Sequence, residues 1–221
     1  MKIRKSPVIS ARKRPRQARS ERLVAAILEA ATRVLTRDGA RRFTTARVAE
    51  AAGVSVGSLY QYFPNKESIL FRLQANEWRQ TGALIEIQFT DSTRPPLERL
   101  RSVVLTFFRS EYDEAELRVA LKDAAPLYRD APETRERRQE GRQRSLAFMR
   151  QILPDVAARE QAFITDLIMT ALSAIGKTVS EESYSRAEVD RLATATGDMF
   201  CAYLEKLARR FPPVGKAGVS P

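Results

Sequence analysis

The run from Thr44 to Phe63 constrains this chain more than any other stretch. It holds two short helical segments, about Thr45–Ala52 and Val56–Phe63, divided by Gly53. Ala49 and Ala52 are small enough for the two helices to cross closely, and Val48, Val54 and Leu59 supply apolar contact. Such a pair cannot bury its faces alone and needs a third wall. The wall on offer is a helix over about Ser20–Arg37, where Leu23, Ala26, Ile27, Ala30, Ala31, Val34 and Leu35 recur at helical spacing. Asp38-Gly39 ends it, because glycine takes the left-handed conformation of a helix C-terminus. Hydroxyls at Thr44 or Thr45, and at Ser55, stand where N-caps are needed. The pattern predicts a three-helix helix-turn-helix unit.

The remaining chain is helical in pattern, with no strand-type alternation. Pro64-Asn65 breaks the third helix, and Asn65 caps a long fourth one carrying Ile69, Leu70 and Leu73. Pro95-Pro96 opens a helix with Leu97, Leu100, Val103, Val104, Phe107 and Phe108 in register. Asp113 and Glu116 have capping-box spacing for the next helix, through Ala124. Pro126–Pro132 reads as a connector. A charged helix follows over about Glu133–Leu153, another from Pro154-Asp155 to about Val179, and a last one opened by a Ser185–Glu188 capping box and ending near Arg209-Arg210. The expected fold class is all-α: a three-helix helix-turn-helix domain plus a second helical domain, about nine helices in total.

Charge decides what partner such a chain suits. It carries 38 basic and 27 acidic residues, a net charge of +11. Eight of the basic residues (Lys2, Arg4, Lys5, Arg12, Lys13, Arg14, Arg16 and Arg19) lie in the first 19 positions, with no acidic residue among them. That is a solubilising tail or a basic arm beside a nucleic-acid reader, with Arg12, Arg14 and Arg16 the candidates for phosphate contact. Residues 1–18 lack apolar periodicity and are expected to form a disordered arm.

Cys201 is the single cysteine, which excludes an internal disulfide and fits a reducing compartment. No apolar run approaches the about 18 residues of a membrane span, and no apolar h-region follows the basic N-terminus. A cytoplasmic, membrane-free protein is expected. There is no histidine. This removes His-based acid–base catalysis and the commonest metal ligand. No nucleophile motif, phosphate loop or metal-ligand spacing is present, so no catalytic residue, metal or cofactor is expected.

The third helix offers groups that suit a DNA groove. Ser55, Ser58, Tyr60, Gln61 and Tyr62 carry hydroxyl and amide groups, and Gly57 lets the backbone approach closely. Tyr62, beside Phe63, equally suits a place in the core. Lys66 opens the fourth helix, where free N–H groups already favour an anion. Arg47 on the second helix is a further candidate.

Within Ile27–Phe71, the residues Gly39, Thr44-Thr45, Ala52-Gly53-Val54-Ser55, Leu59-Tyr60-Gln61-Tyr62-Phe63 and Asn65-Lys66 together resemble the DNA-binding domain of the tetracycline-repressor (TetR) family of AcrR-like regulators. The resemblance implies a homodimeric repressor that binds a double-stranded palindromic operator and is released by a small-molecule effector. By family position it points to Tyr60 and Tyr62 at phosphates, with Thr44, Thr45 and Lys66 among the DNA-binding candidates. It departs at Val56 and Gly57, whose side chains cannot hydrogen-bond bases. Base reading would then lean on Ala46, Arg47 and Gln61, on thymine-methyl contact by Val56, and on DNA shape.

The implied organisation is a basic arm (1–18), a DNA-binding domain (19–66), an effector and dimerisation domain (67–212) and a flexible tail (213–221). Trp78, Phe107, Phe108, Tyr112, Phe148 and Phe163 are candidates to line an effector pocket, although aromatics at helical spacing also serve as plain core. The helix over 156–179 is apolar on more than one face and must be covered twice. Its Met169, Leu172, Ser173 and Gly176, with Met199, Phe200 and Tyr203 of the last helix, are the candidate dimer contacts.

Overall fold

The computed structural model describes residue 9 and residues 18–211. Nine α-helices and one short 3-10 turn make up the described residues, with no strand among them. The helices are α1 (Ala18–Arg42), α2 (Thr45–Ala51), α3 (Val56–Tyr60), α4 (Lys66–Thr90), α5 (Pro96–Asp113), α6 (Ala115–Ala124), α7 (Pro132–Ile152), α8 (Ala158–Glu181) and α9 (Arg186–Arg210). The 3-10 turn is Ala125–Leu127. The all-α expectation holds.

Packing groups the chain into two compact units, and each is discontinuous in sequence. One is built from the chain up to Gln80 together with Glu114–Arg138; the other takes Thr81–Asp113 and the chain from Gln139 onward. The sequence pattern marks a change near residue 66, yet α6 and the 3-10 turn share the core of the first unit. Its buried set joins Ile27, Val34 and Leu35 of α1, Val48 and Ala49 of α2, Leu59 of α3, and Ile69, Leu70 and Leu73 of α4 with Leu121, Ala124, Tyr128 and Ala131. Ile9 is buried in the same core, at 2% exposure. An apolar side chain gains by leaving water, so the expectation of an unstructured arm through residue 18 is corrected at Ile9 and at Ala18, where α1 begins. Arg12, Arg14, Arg16 and the tail 213–221 lie outside the described residues.

The second unit packs α5 against α8 and α9 around Leu100, Val104, Phe108, Ile164, Ile168, Phe200, Cys201 and Leu204. Gly176 of α8 is what lets the Phe107 ring edge pack against that helix: a Cβ there would stand 2.5 Å from Phe107 Cε1. Arg109 clamps Asp190 with two hydrogen bonds of 2.8 Å, and Arg101 reaches Asp198 at 2.8 Å, so ion pairs also join α5 to α9. Arg99 is buried with no carboxylate partner among the described residues. It donates to the Phe89 carbonyl at the end of α4 (2.6 Å) and to Gln151 (2.8 Å), and lies over the Phe148 ring. A helix C-terminus carries partial negative charge, which compensates the buried guanidinium in part.

Several boundaries differ from expectation. Gly39 interrupts α1 with φ 74°, and the chain regains helical geometry to Arg42. Asp113 and Glu116 form no capping box; Glu114 is the N-cap of α6 and makes no side-chain capping bond. The helix expected at Pro154 begins at Ala158, because Val156 turns inward to 5% exposure and Ala157 is extended. The Ser185–Glu188 capping box is present as read. An 18-residue window of α8 reaches a mean hydropathy of 1.4, a value that a core helix also reaches. Its Asp166 is paired with Arg142 at 2.6 Å.

Candidate DNA-binding surface

The helix-turn-helix is held by local bonds that its sequence dictates. Thr44 is the N-cap of α2 and accepts from the Arg47 N–H; Ser55 caps α3 and accepts from the Ser58 N–H at 3.0 Å. Between them, Gly53 sits at φ 66°. Its N–H bonds the Glu50 carbonyl and the Val54 N–H bonds the Ala49 carbonyl. This pair of bonds is the Schellman ending, which needs a left-handed residue where Gly53 stands. The turn separates α2 from α3 and leaves Thr44, Arg47, Ser55, Tyr60 and Gln61 in solvent.

The exposed face of α2 and α3 gathers most of the sequence candidates. Thr44, Arg47, Ser55, Val56, Gly57, Tyr60 and Gln61 are exposed, and Thr45, Ser58 and Lys66 are partly so. Val56 at 40% and Tyr60 at 39% are large apolar groups held out in water, which suits contact with a duplex. The Tyr60 hydroxyl hydrogen-bonds Thr45 Oγ1 at 3.1 Å, joining α2 to α3 across the face, and the Ser55 and Ser58 hydroxyls share a bond of 2.8 Å. Tyr62 is placed otherwise: at 7% exposure it belongs to the core with Phe63, the alternative its neighbour suggested. Asn65 caps α4, accepting from the Ser68 N–H at 2.8 Å, so Lys66 stands at a helix N-terminus as expected.

Asp38 is the residue that sequence reasoning missed here. Its carboxylate receives Arg37 Nε at 2.7 Å and Arg47 Nη1 at 3.1 Å. Arg37, first through its hydrogen bonds, holds the Asp38 carboxyl below the usual carboxylate range. The partners Asp38 and Arg47 lie on different helices, so no helical spacing signals the contact.

Two family descriptions match the chain. "Bacterial regulatory proteins, tetR family" matches residues 27–73, and "Tetracyclin repressor-like, C-terminal domain" matches residues 95–207, half of the chain. The chain belongs to the TetR family. A relative described as an uncharacterized HTH-type transcriptional regulator from Haemophilus influenzae is 31% identical over 88 residues, which cover 40% of this chain and 46% of that protein. The chain thus matches under half the length of that relative. Among solved structures, a transcriptional regulator of the "TerR/AcrR family" from Aquifex aeolicus is similar with a TM-score of 0.62 at 17% identity, over 80% of this chain and 98% of that one. The TetR-family regulator PfmR from Thermus thermophilus is similar with a TM-score of 0.63 at 20% identity, over 80% and 97%. At such identities the likeness is one of fold. This TetR-family protein is a transcriptional regulator with a helix-turn-helix DNA-binding domain.

Of the six aromatic candidates, Trp78 lies in the first unit, whereas Phe107, Phe108, Tyr112 and Phe148 share the core cluster of the second. Phe108 and Phe148 are core residues, Phe148 stacking on Phe89 with ring centroids 4.4 Å apart. Phe107 covers Gly176, Trp78 and Tyr112 are partly buried, and Phe163 is 58% exposed. A shallow groove of about 370 Å³ is lined by Glu140, Gln143, Arg144 and Ala147, with none of the six aromatics. Of the dimer candidates, Met199 and Ser173 are exposed and Met169, Leu172 and Tyr203 partly so, whereas Gly176 and Phe200 are buried within the unit.

Proposed function

We propose that this TetR-family protein is a cytoplasmic, non-enzymatic repressor. It binds a pseudo-palindromic duplex operator as a homodimer and is released by a small-molecule effector that binds its second unit. The observation that carries the reading is the exposed polar face of α2 and α3, with Val56 and Tyr60 standing out in solvent beside capped helix N-termini. Hydroxyl, amide and guanidinium groups at helix starts suit phosphates, and Val56 and Gln61 suit base edges.

Dimerisation is supported by a second exposed surface. Phe163 (58%), Leu167 (45%) and Met199 (53%) are large apolar side chains left in water on α8 and α9. Phe163 and Leu167 are four residues apart and share a helix face. A second copy using the same helices would bury them in a four-helix arrangement with two-fold symmetry. The effector part of the reading is supported by the match to the tetracyclin repressor-like C-terminal domain. It requires the bound compound to favour a conformation that no longer fits DNA.

Footprinting combined with analytical ultracentrifugation tests the reading. A dimer at micromolar concentration should protect an inverted repeat whose halves lie about 34 Å apart or somewhat more. A monomer, or uniform protection without two-fold symmetry, sinks it. Compounds found by thermal-shift screening should raise the melting temperature and weaken operator binding together; stabilisers that never alter DNA affinity would remove the effector from the scheme.

A further inference from the structure

We propose that Asp38 is a positioning residue for DNA recognition, presetting Arg47 in the first turn of α2 as a phosphate-contacting guanidinium. The proposal rests on the reading of the α2–α3 face as the DNA-contacting surface. Asp38 precedes Gly39, and its side chain is only 14% exposed although charged. Two guanidiniums converge on it. Arg37 donates from Nε to Oδ1 at 2.7 Å and from Nη2 to Oδ2 at 3.0 Å, and Arg47 donates from Nη1 to Oδ2 at 3.1 Å. Two guanidiniums balance the Asp38 carboxylate, with Glu50 a second carboxylate acting on Arg37.

Arg47 spends one donor on Asp38. Its Nε and Nη2 make no other hydrogen bond among the described residues, and the side chain is 48% exposed. Its own backbone N–H is held by the Thr44 cap, and Thr45 beside it bonds Tyr60. Arg47 is therefore held at its backbone by the Thr44 cap and at its guanidinium by Asp38, with donors left over. Ordering a free arginine on a phosphate costs rotamer freedom; an arginine already ordered in the free protein has less to lose. A bare carboxylate at this place would repel phosphates, but the second guanidinium from Arg37 removes that cost. If instead the pair were only one more exposed ion bridge, its effect on stability would be slight, and its effect on DNA binding nil.

The test is a double-mutant cycle read by fluorescence anisotropy on the footprinted operator fragment and on a scrambled duplex of equal length. Asp38→Asn should weaken operator binding about three- to tenfold with its melting temperature nearly unchanged, and Asp38→Glu should restore part of the loss. In an Arg47→Ala background the Asp38→Asn effect should vanish. Arg47→Ala should lower the slope of log affinity against log salt by about 0.9, while Asp38→Asn leaves that slope in place. Equal or tighter binding by Asp38→Asn, or an equal loss in the Arg47→Ala background, overturns the proposal. If Arg47→Ala and Tyr60→Phe both weaken binding and Asp38→Asn does not, the positioning role falls and the DNA surface stands. If neither of those two variants weakens binding, the surface itself is misassigned and the proposal falls with it.

Discussion

The two units expose opposite kinds of surface. In the first, α2 and α3 bury Val48 and Leu59 fully, and apart from Val56 and Tyr60 what they leave outside is largely hydroxyl, amide and guanidinium. In the second, longer helices keep Phe163, Leu167 and Met199 in water although their own core is complete. A polar face beside helix N-termini suits a polyanion. An apolar stripe on a helix whose other side is already packed suits another protein surface. The difference lies in helix length as well as composition. A five-residue helix such as α3 can present little beyond one core residue and one outward face, whereas the 24-residue α8 has room for two apolar faces.

The sharpest way to break this comparison sets one leucine against another. Leu59 is fully buried, and Leu59→Ala should cost about 2–5 kcal/mol of unfolding free energy. Leu167 is 45% exposed, and Leu167→Ala should leave the stability of the separated protomer nearly unchanged while weakening self-association. Chemical denaturation measured over a hundredfold range of protein concentration separates the two effects. If Leu167→Ala destabilises the protomer as much as Leu59→Ala does, the exposed stripe is not a free surface.

Glycines give the next contrast, within the helix-turn-helix itself. Gly53 has φ 66°, a conformation that costs an L side chain about 1–2 kcal/mol, so Gly53→Ala should lower stability by that amount. Gly57 lies inside α3, and a Cβ there would meet only Ser55 Oγ at 3.8 Å. Gly57→Ala should be neutral or stabilising by up to about 1 kcal/mol, yet should weaken DNA binding if the backbone approaches the duplex closely. Paired thermal melts and operator titrations decide it. A Gly57→Ala protein that binds DNA as tightly as the parent would free this glycine from the contact.

What can be read in advance follows the range of the interaction. The caps Thr44, Ser55, Asn65 and Ser185 are legible because each acts on an N–H about three residues away, and so is the need for glycine at position 53. The Asp113–Glu116 spacing looks the same in sequence, but the chain turns at Glu114 instead. Pro154 has the look of a helix start, yet the burial of Val156 delays the helix to Ala158. Contacts between distant segments leave no local trace. Tyr128 donates to Gln74 Oε1 at 3.1 Å, 54 residues away, which is how a stretch that reads as mere connector joins the core of the first unit. Aromatic content does not distinguish core from surface either: Phe148 and Phe163 carry the same expectation, and one is buried while the other is mostly exposed. The candidate DNA face is the most legible part, since its residues fall within one short run whose geometry is set by its own caps and turn.

The smallest expected effect concerns the ion pairs that tie α5 to α9. Arg109, through its two hydrogen bonds, holds the Asp190 carboxyl below its ordinary range. A carboxylate whose pKa is lower in the folded state binds fewer protons there than in the unfolded chain, so stability rises with pH through that interval. The contribution is complete above the unfolded value of about 3.9. It is lost as pH falls through the folded-state value. Asp190 and Arg109 are both partly exposed, at 37% and 42%, so solvent screens the pair and the contribution stays small. Asp190→Asn should therefore melt slightly below the parent at pH 6, with the gap closing as the pH falls below about 4. A gap that keeps its full size well below that pH would mean that the amide destabilises through packing, and that the charge of Asp190 contributes nothing.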